Sequence, residues 1–247
     1  MIGALMSTRA VVVIGVAVLT VACGGSPAGP TNGGRTPRLS RTRFLAFGDS
    51  LTAGEVTAPI GASPGSISKE VVVPAASYPT QLQSQLVSRY PSQASAIRVV
   101  NAGVAGENLF RAALRFEDAL AENRPEAVLI MHGLNNLGGD GTDVTASLIR
   151  GMVQTAKAQG LRVFVGSMLP TVAGRTRSQN MTLVESYNAK LRQISVEEGV
   201  VYVDLYTTLL PEALSVIGVD GLHPTEAGYR RIADLFFAAI RSELEQQ

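Results

Sequence analysis

Residues 44–51 read Phe44-Leu45-Ala46-Phe47-Gly48-Asp49-Ser50-Leu51, and how this octet divides decides the fold. Four apolar residues in a row, closed by a glycine and two polar residues, read as a short strand buried on both faces and not as a helix. The same design recurs at Ile97–Val100, Ala127–Met131, Leu161–Val165 and Val200–Leu205. Segments of helical period lie between these runs. Met181, Val184, Tyr187, Leu191 and Ile194 share one helix face, as do Val144, Leu148, Met152 and Ala156, and near the end Ile232, Phe236, Ile240 and Leu244. Five strand–helix units predict a five-stranded, mainly parallel sheet covered by helices on both sides, an α/β fold. Right-handed crossovers make such a sheet doubly wound and put its ligand site at the carboxyl ends of the strands.

One interval breaks this rhythm. Residues 52–76 separate the first strand from a helix that starts near Tyr78-Pro79. A segment of that length beside a strand's carboxyl end reads either as a functional loop or lid, or as a disordered insertion; the sequence leaves both open.

The chain has 247 residues, enough for one well-buried α/β domain. With 46% apolar and 17% charged residues, disorder, a coiled coil and a collagen-like repeat are excluded. Lys and Arg number 21 against 20 acids, and removing residues 1–22 would delete one Arg and leave the charges balanced. A neutral chain has no global field for nucleic acid, and the absence of Trp with 5% aromatics argues against base-stacking platforms. A single cysteine makes neither an internal disulfide nor a multi-thiolate metal site.

Residues 10–23 form an apolar stretch of 14, short of the about 20 that a membrane-spanning helix needs. It reads as the hydrophobic region of an export signal. Its end, Leu19-Thr20-Val21-Ala22-Cys23, resembles a bacterial lipoprotein signal, although Thr20 stands where Leu is favoured. The expectation is a signal peptide over 1–22, acylation of Cys23, and a mature chain anchored in the cell envelope, with a soluble secreted or periplasmic form as the alternative. Residues 23–42, rich in Gly and Pro with several Arg, read as a flexible tether, and 43–247 as the folded domain.

Acyl transfer by a hydroxyl needs a base, an acid to orient that base, and donors for the developing oxyanion. Only His132 and His223 could serve as a histidine base. His223 lies in Val219-Asp220-Gly221-Leu222-His223-Pro224, where Asp220 is spaced to fold back onto the imidazole. Ser50 follows the first strand. Asn101-Ala102-Gly103-Val104-Ala105-Gly106-Glu107 ends the second, and Gly133-Leu134-Asn135-Asn136 follows the third. All four segments fall at one rim of one sheet. His132 has no acid at an obvious spacing and reads as a wall histidine, and Asp49 as a loop organiser. Gly138 to Asp143 read as a turn leading to an N-cap and not as a calcium loop.

In these four blocks the chain, over about residues 43–245, resembles the SGNH or GDSL-type serine hydrolases, esterases and lipases with a flavodoxin-like three-layer α/β/α sandwich. The resemblance implies Ser50 as nucleophile, His223 as base and Asp220 as its orienter. It implies an oxyanion hole from the backbone N–H groups of Ser50 and Gly106 and the amide of Asn135, with no cofactor and no metal. Asn136 stands where the family usually has Asp. The expected partners are small acyl esters, lysophospholipids or acylated glycans, and a membrane through the anchor, but no nucleic acid. Two alternatives share the fold: a ligand-binding module without turnover, and an O-acyltransferase using the same Ser-His-Asp site.

Overall fold

The computed structural model describes residues 36–59, 68–178 and 181–246. The expected signal peptide, Cys23 and most of the expected tether lie outside these residues. Five strands form the central sheet: β1 (Arg43–Gly48), β2 (Arg98–Gly103), β3 (Ala127–Met131), β4 (Arg162–Gly166) and β5 (Val201–Val203). They are hydrogen-bonded in the order β2-β1-β3-β4-β5, and every neighbouring pair is parallel. Their apolar runs suit a sheet covered on both faces: all five residues of β3 are buried. Five long helices flank it: α1 (Tyr78–Arg89), α2 (Leu109–Asn123), α3 (Leu137–Ala158), α4 (Met181–Glu198) and α5 (Glu226–Leu244). Helices α2, α3 and α4 pack side by side, and α1 packs against α5. The result is the doubly wound three-layer sandwich that the strand–helix alternation predicts. From β1 the chain winds outward to β2 and then crosses back to β3 on the other side, so the carboxyl end of β1 lies at the topological switch point.

Buried faces of α4 and α5 are those expected: Val184, Tyr187, Leu191 and Ile194 on one, Ile232, Phe236, Ile240 and Leu244 on the other. Tyr78 of α1 stacks on Phe236 of α5 with ring centroids 5.0 Å apart.

Elsewhere the structure departs from the sequence pattern. Helix α3 buries Met152 and Ala156 as expected and packs Leu148 against the core, but Val144 is 45% exposed, and Thr145, Ile149 and Val153 join the buried face. The helix is interrupted at Gly141 (φ 76°, ψ 170°), and only glycine adopts that conformation without strain. The expected turn at residues 138–143 is thus a helix interrupted at one point. β5 is only three residues long, because Asp204 accepts a hydrogen bond from Thr207 N and starts a short helix at Leu205. Within residues 52–76, Glu55–Pro59 and Ser68–Val72 pair as an antiparallel hairpin, and 60–67 lie outside the described residues. The end of the expected tether belongs to the body. Arg38–Leu39 pair with Glu245–Gln246, Leu39 is buried, and Thr42 N donates to Glu126.

Candidate active site

Ser50 opens a four-residue helical turn, Ser50–Ala53, directly after β1. Asp49 caps the turn, its Oδ1 accepting from Leu51 N at 3.1 Å. The turn lies hard against the sheet. A Cβ on Gly48 would stand 2.0 Å from Thr52 Oγ1 and 2.3 Å from Met131 O, and one on Gly103 would stand 2.2 Å from Ala53 N. Side chains at either position would push the turn away, and Ser50 with it.

His223 reaches this serine from the far end of the chain. Its Nε2 lies 3.0 Å from Ser50 Oγ, and its Nδ1 lies 2.7 Å from Asp220 Oδ2. The other oxygen of Asp220 accepts from the backbone N–H groups of Leu222 and His223, each at 3.1 Å, and from Thr57 Oγ1 at 3.2 Å. Burial works to raise the Asp220 carboxyl, but the hydrogen bonds from His223 and from these backbone groups outweigh it and hold the carboxyl below its ordinary value. The group is therefore ionised when the imidazole needs orienting. The loop is braced in turn: Gly218 N donates to His223 O at 2.7 Å, and Arg177 N donates to Asp220 O at 2.8 Å. Ser50, Asp220 and His223 are all at least nine-tenths buried.

The other two sequence-predicted blocks meet at the same rim. Asn135 Nδ2 donates to the backbone oxygen of Glu107 at 2.9 Å, tying the loop after β3 to the loop after β2. Its second amide hydrogen remains for another acceptor. The N–H groups of Ser50 and Gly106 have no acceptor among the described residues. Asn136 plays a different part: its Oδ1 accepts from Leu109 N at 2.7 Å at the start of α2, and its Nδ2 donates to Asp140 at 2.7 Å. An Asp at this position would set two carboxylates face to face, so Asn136 matches Asp140.

Several site residues lie beyond the sequence reading. Arg115, from α2, donates to both carboxylate oxygens of Glu107 (2.7 and 2.6 Å), to Ala102 O (3.0 Å) and to Gly48 O (3.2 Å). It thus joins the ends of β1 and β2 beneath the site. Burial alone would raise the Glu107 carboxyl, yet hydrogen bonds from His132 and Arg115 bring it down to about 2. His132 is a wall residue, as expected, but its acids come from distant segments: Glu107 Oε2 at 3.4 Å and Asp49 Oδ2 at 3.5 Å. Glu55, at the start of the hairpin, places Oε1 3.9 Å from His223 Nε2. Ligand atoms of Glu55, Glu70 and His223 lie within 4.8 Å of one another, a set that could hold a cation. A cation there would take the imidazole nitrogen that faces Ser50. No spacing in the chain signals Glu55 or Arg115, because Gly48 O and the His223 ring come near them only in the folded chain.

Residues 46–231 match the GDSL-like Lipase/Acylhydrolase family. Among solved structures, a lipase/acylhydrolase from Enterococcus faecalis superposes with a TM-score of 0.67 at 21% identity, covering 82% of this chain and 97% of that one. An acetylxylan esterase from Geobacillus stearothermophilus gives 0.64 at 21% identity, covering 82% and 94%. The acetyl xylan esterase AlAXEase gives 0.62 at 20% identity, covering 79% and 98%. A search of curated proteins finds no significant match.

Proposed function

The chain belongs to the GDSL-like lipase/acylhydrolase family, and from that premise we propose that it is a serine hydrolase that cleaves carboxylic esters through an acyl-enzyme intermediate. The observation that carries this reading is the unbroken line from Asp220 Oδ2 through the His223 ring to Ser50 Oγ, at 2.7 and 3.0 Å. Both distances are within hydrogen-bond reach for a base and its nucleophile. Ser50 Oγ attacks the ester carbonyl as His223 Nε2 takes its proton. Ionised Asp220 holds the Nδ1–H and stabilises the imidazolium. The oxyanion is received by the N–H groups of Ser50 and Gly106 and the spare amide hydrogen of Asn135. Nε2–H then protonates the leaving alcohol, and water enters by the reverse steps to free the acid and regenerate Ser50.

A fluorophosphonate probe tests the assignment. It should label the wild type and not Ser50→Ala. A folded wild type that resists the probe would favour a binding module. Short acyl groups are the proposed substrates, because Ser50 is only 6% exposed and the acetylxylan esterases among the structural neighbours act on acetyl groups. Hydrolysis of nitrophenyl esters from acetate to decanoate should fall steeply beyond short chains; a maximum at long chains would point to a lipase.

We also propose export and lipid anchoring through Cys23. The support is the apolar stretch of residues 10–23 and the small residue Ala22 before the cysteine. Cys23→Ser should release the protein from the membrane fraction and abolish incorporation of a fatty-acid label; persistence of either in the variant would refute the anchor.

A further inference from the structure

The alcohol side of the proposed hydrolytic site is lined by carboxylates. His223 Nε2 is the atom that hands a proton to the leaving oxygen, so the departing alcohol and the incoming water must both approach it. Glu55 Oε1 lies 3.9 Å from that nitrogen, and Glu55 is only 6% exposed. Its backbone is pinned: Glu55 O accepts from Tyr229 Oη at 2.6 Å, and Tyr229 is buried in α5. Its carboxyl lies within 4.8 Å of that of Glu70 across the hairpin, and Glu70 is in turn paired with Arg177. Thr57, two residues on, donates to Asp220. The hairpin thus sets a buried acceptor beside the reacting nitrogen, with the Arg177 guanidinium behind Glu70.

We propose that Glu55, backed by Glu70, forms a subsite that accepts a hydroxyl of the substrate's alcohol part, so that this enzyme prefers esters of polyols such as sugars or glycerol over esters of simple alcohols. This rests on the hydrolase reading above and adds to it the class of alcohol. A carboxylate oxygen only accepts hydrogen bonds, and a hydroxyl adjacent to the scissile ester can donate one. A simple alkyl alcohol would cover Glu55 without replacing the water it displaces. Sites built around a buried hydrogen-bonding group discriminate strongly against partners that leave it unpaired. Burial and the neighbouring Glu70 carboxyl hold the Glu55 carboxyl above its ordinary value, while nearby His223 works against this rise. A carboxyl oxygen stays an acceptor for a donor hydroxyl in either protonation state.

The test compares two esters with the same acyl group and a three-carbon alcohol: glycerol 1-monoacetate and n-propyl acetate, in chelator-treated buffer. The ratio of their kcat/KM values, corrected for their alkaline hydrolysis rates, should favour the glycerol ester at least tenfold in the wild type. Glu55→Gln and Glu55→Ala should each cut that ratio by tenfold or more, and Glu70→Gln, at an exposed residue, should cut it less. A wild-type ratio near one, or a ratio unmoved by both Glu55 substitutions in folded protein, overturns the subsite and leaves the hydrolase reading standing. Failure to release acetate from either ester, together with no fluorophosphonate labelling, overturns the hydrolase reading, and the subsite falls with it.

Discussion

Asn135 offers two amide hydrogens, and only one is spent on Glu107 O. If the other meets the oxyanion, its loss falls on the transition state more than on bound substrate. Asn135→Ala should lower kcat on a short acyl ester by about 10²–10³, or about 2.7–4 kcal/mol, with a small change in KM. A drop below about threefold would remove Asn135 from the oxyanion hole. Glu107 carries a second expectation at this scale, since its carboxyl is held near 2 against an ordinary 4.5. A carboxyl depressed in the folded state contributes its full stability above the unfolded value and loses it as pH falls through the folded value. Wild type and Glu107→Gln should therefore differ most in urea midpoint above about pH 4.5, and the gap should close as pH drops towards about 2. A gap constant across that window would mean that Glu107 gains nothing from Arg115 and His132. Both residues belong to blocks visible in the sequence, but their partners are not. Arg115 is one of many helix arginines until the sheet order brings β1, β2 and α2 together.

Among the elements, the short turn carrying Ser50 depends on two glycines that belong to different strands. Gly103→Ala would bring a Cβ within 2.2 Å of Ala53 N, and backbone cannot yield as a side-chain tip can. The expected cost is about 1–3 kcal/mol of stability, read as a lower urea midpoint, together with slower fluorophosphonate labelling of Ser50. Unchanged labelling in a folded variant would show that the turn can shift without harm to the nucleophile. The hairpin makes the complementary point. Its alternation is weak, and residues 52–76 contain several glycines and prolines, so local pattern could not separate a loop from an insertion. What holds it in place is non-local: Tyr229 Oη on Glu55 O, Thr57 on Asp220, and Arg177 on Glu70. The expected face of α3 holds at Met152 and Ala156 but not at Val144, because steps of four residues drift about 40° each around a helix of 3.6 residues per turn.

Across the whole molecule, the layer formed by α1 and α5 must hold the sheet whose rim carries the site. Phe236 anchors that layer, fully buried, stacked on Tyr78, and close enough to Gly166 that a Cβ there would lie 2.9 Å from its ring. Phe236→Ala should cost about 3–5 kcal/mol, measured by chemical denaturation. A loss under about 1 kcal/mol would mean that the layer is held by other contacts. The periodicity of apolar residues by itself determined the number of sheet strands, the parallel sheet and the rim where chemistry would gather, because burial on two faces leaves its mark in every strand and every helix stripe. The same chain order also announced Ser50, Asn135, Asp220 and His223 as members of local motifs. Only the tertiary structure decided that His223 Nε2 meets Ser50 Oγ, that Arg115 ties two strand ends together, and that Glu55 stands beside the imidazole. Those contacts join residues separated by tens to more than a hundred positions, and their distances depend on how the layers pack, which no local spacing encodes.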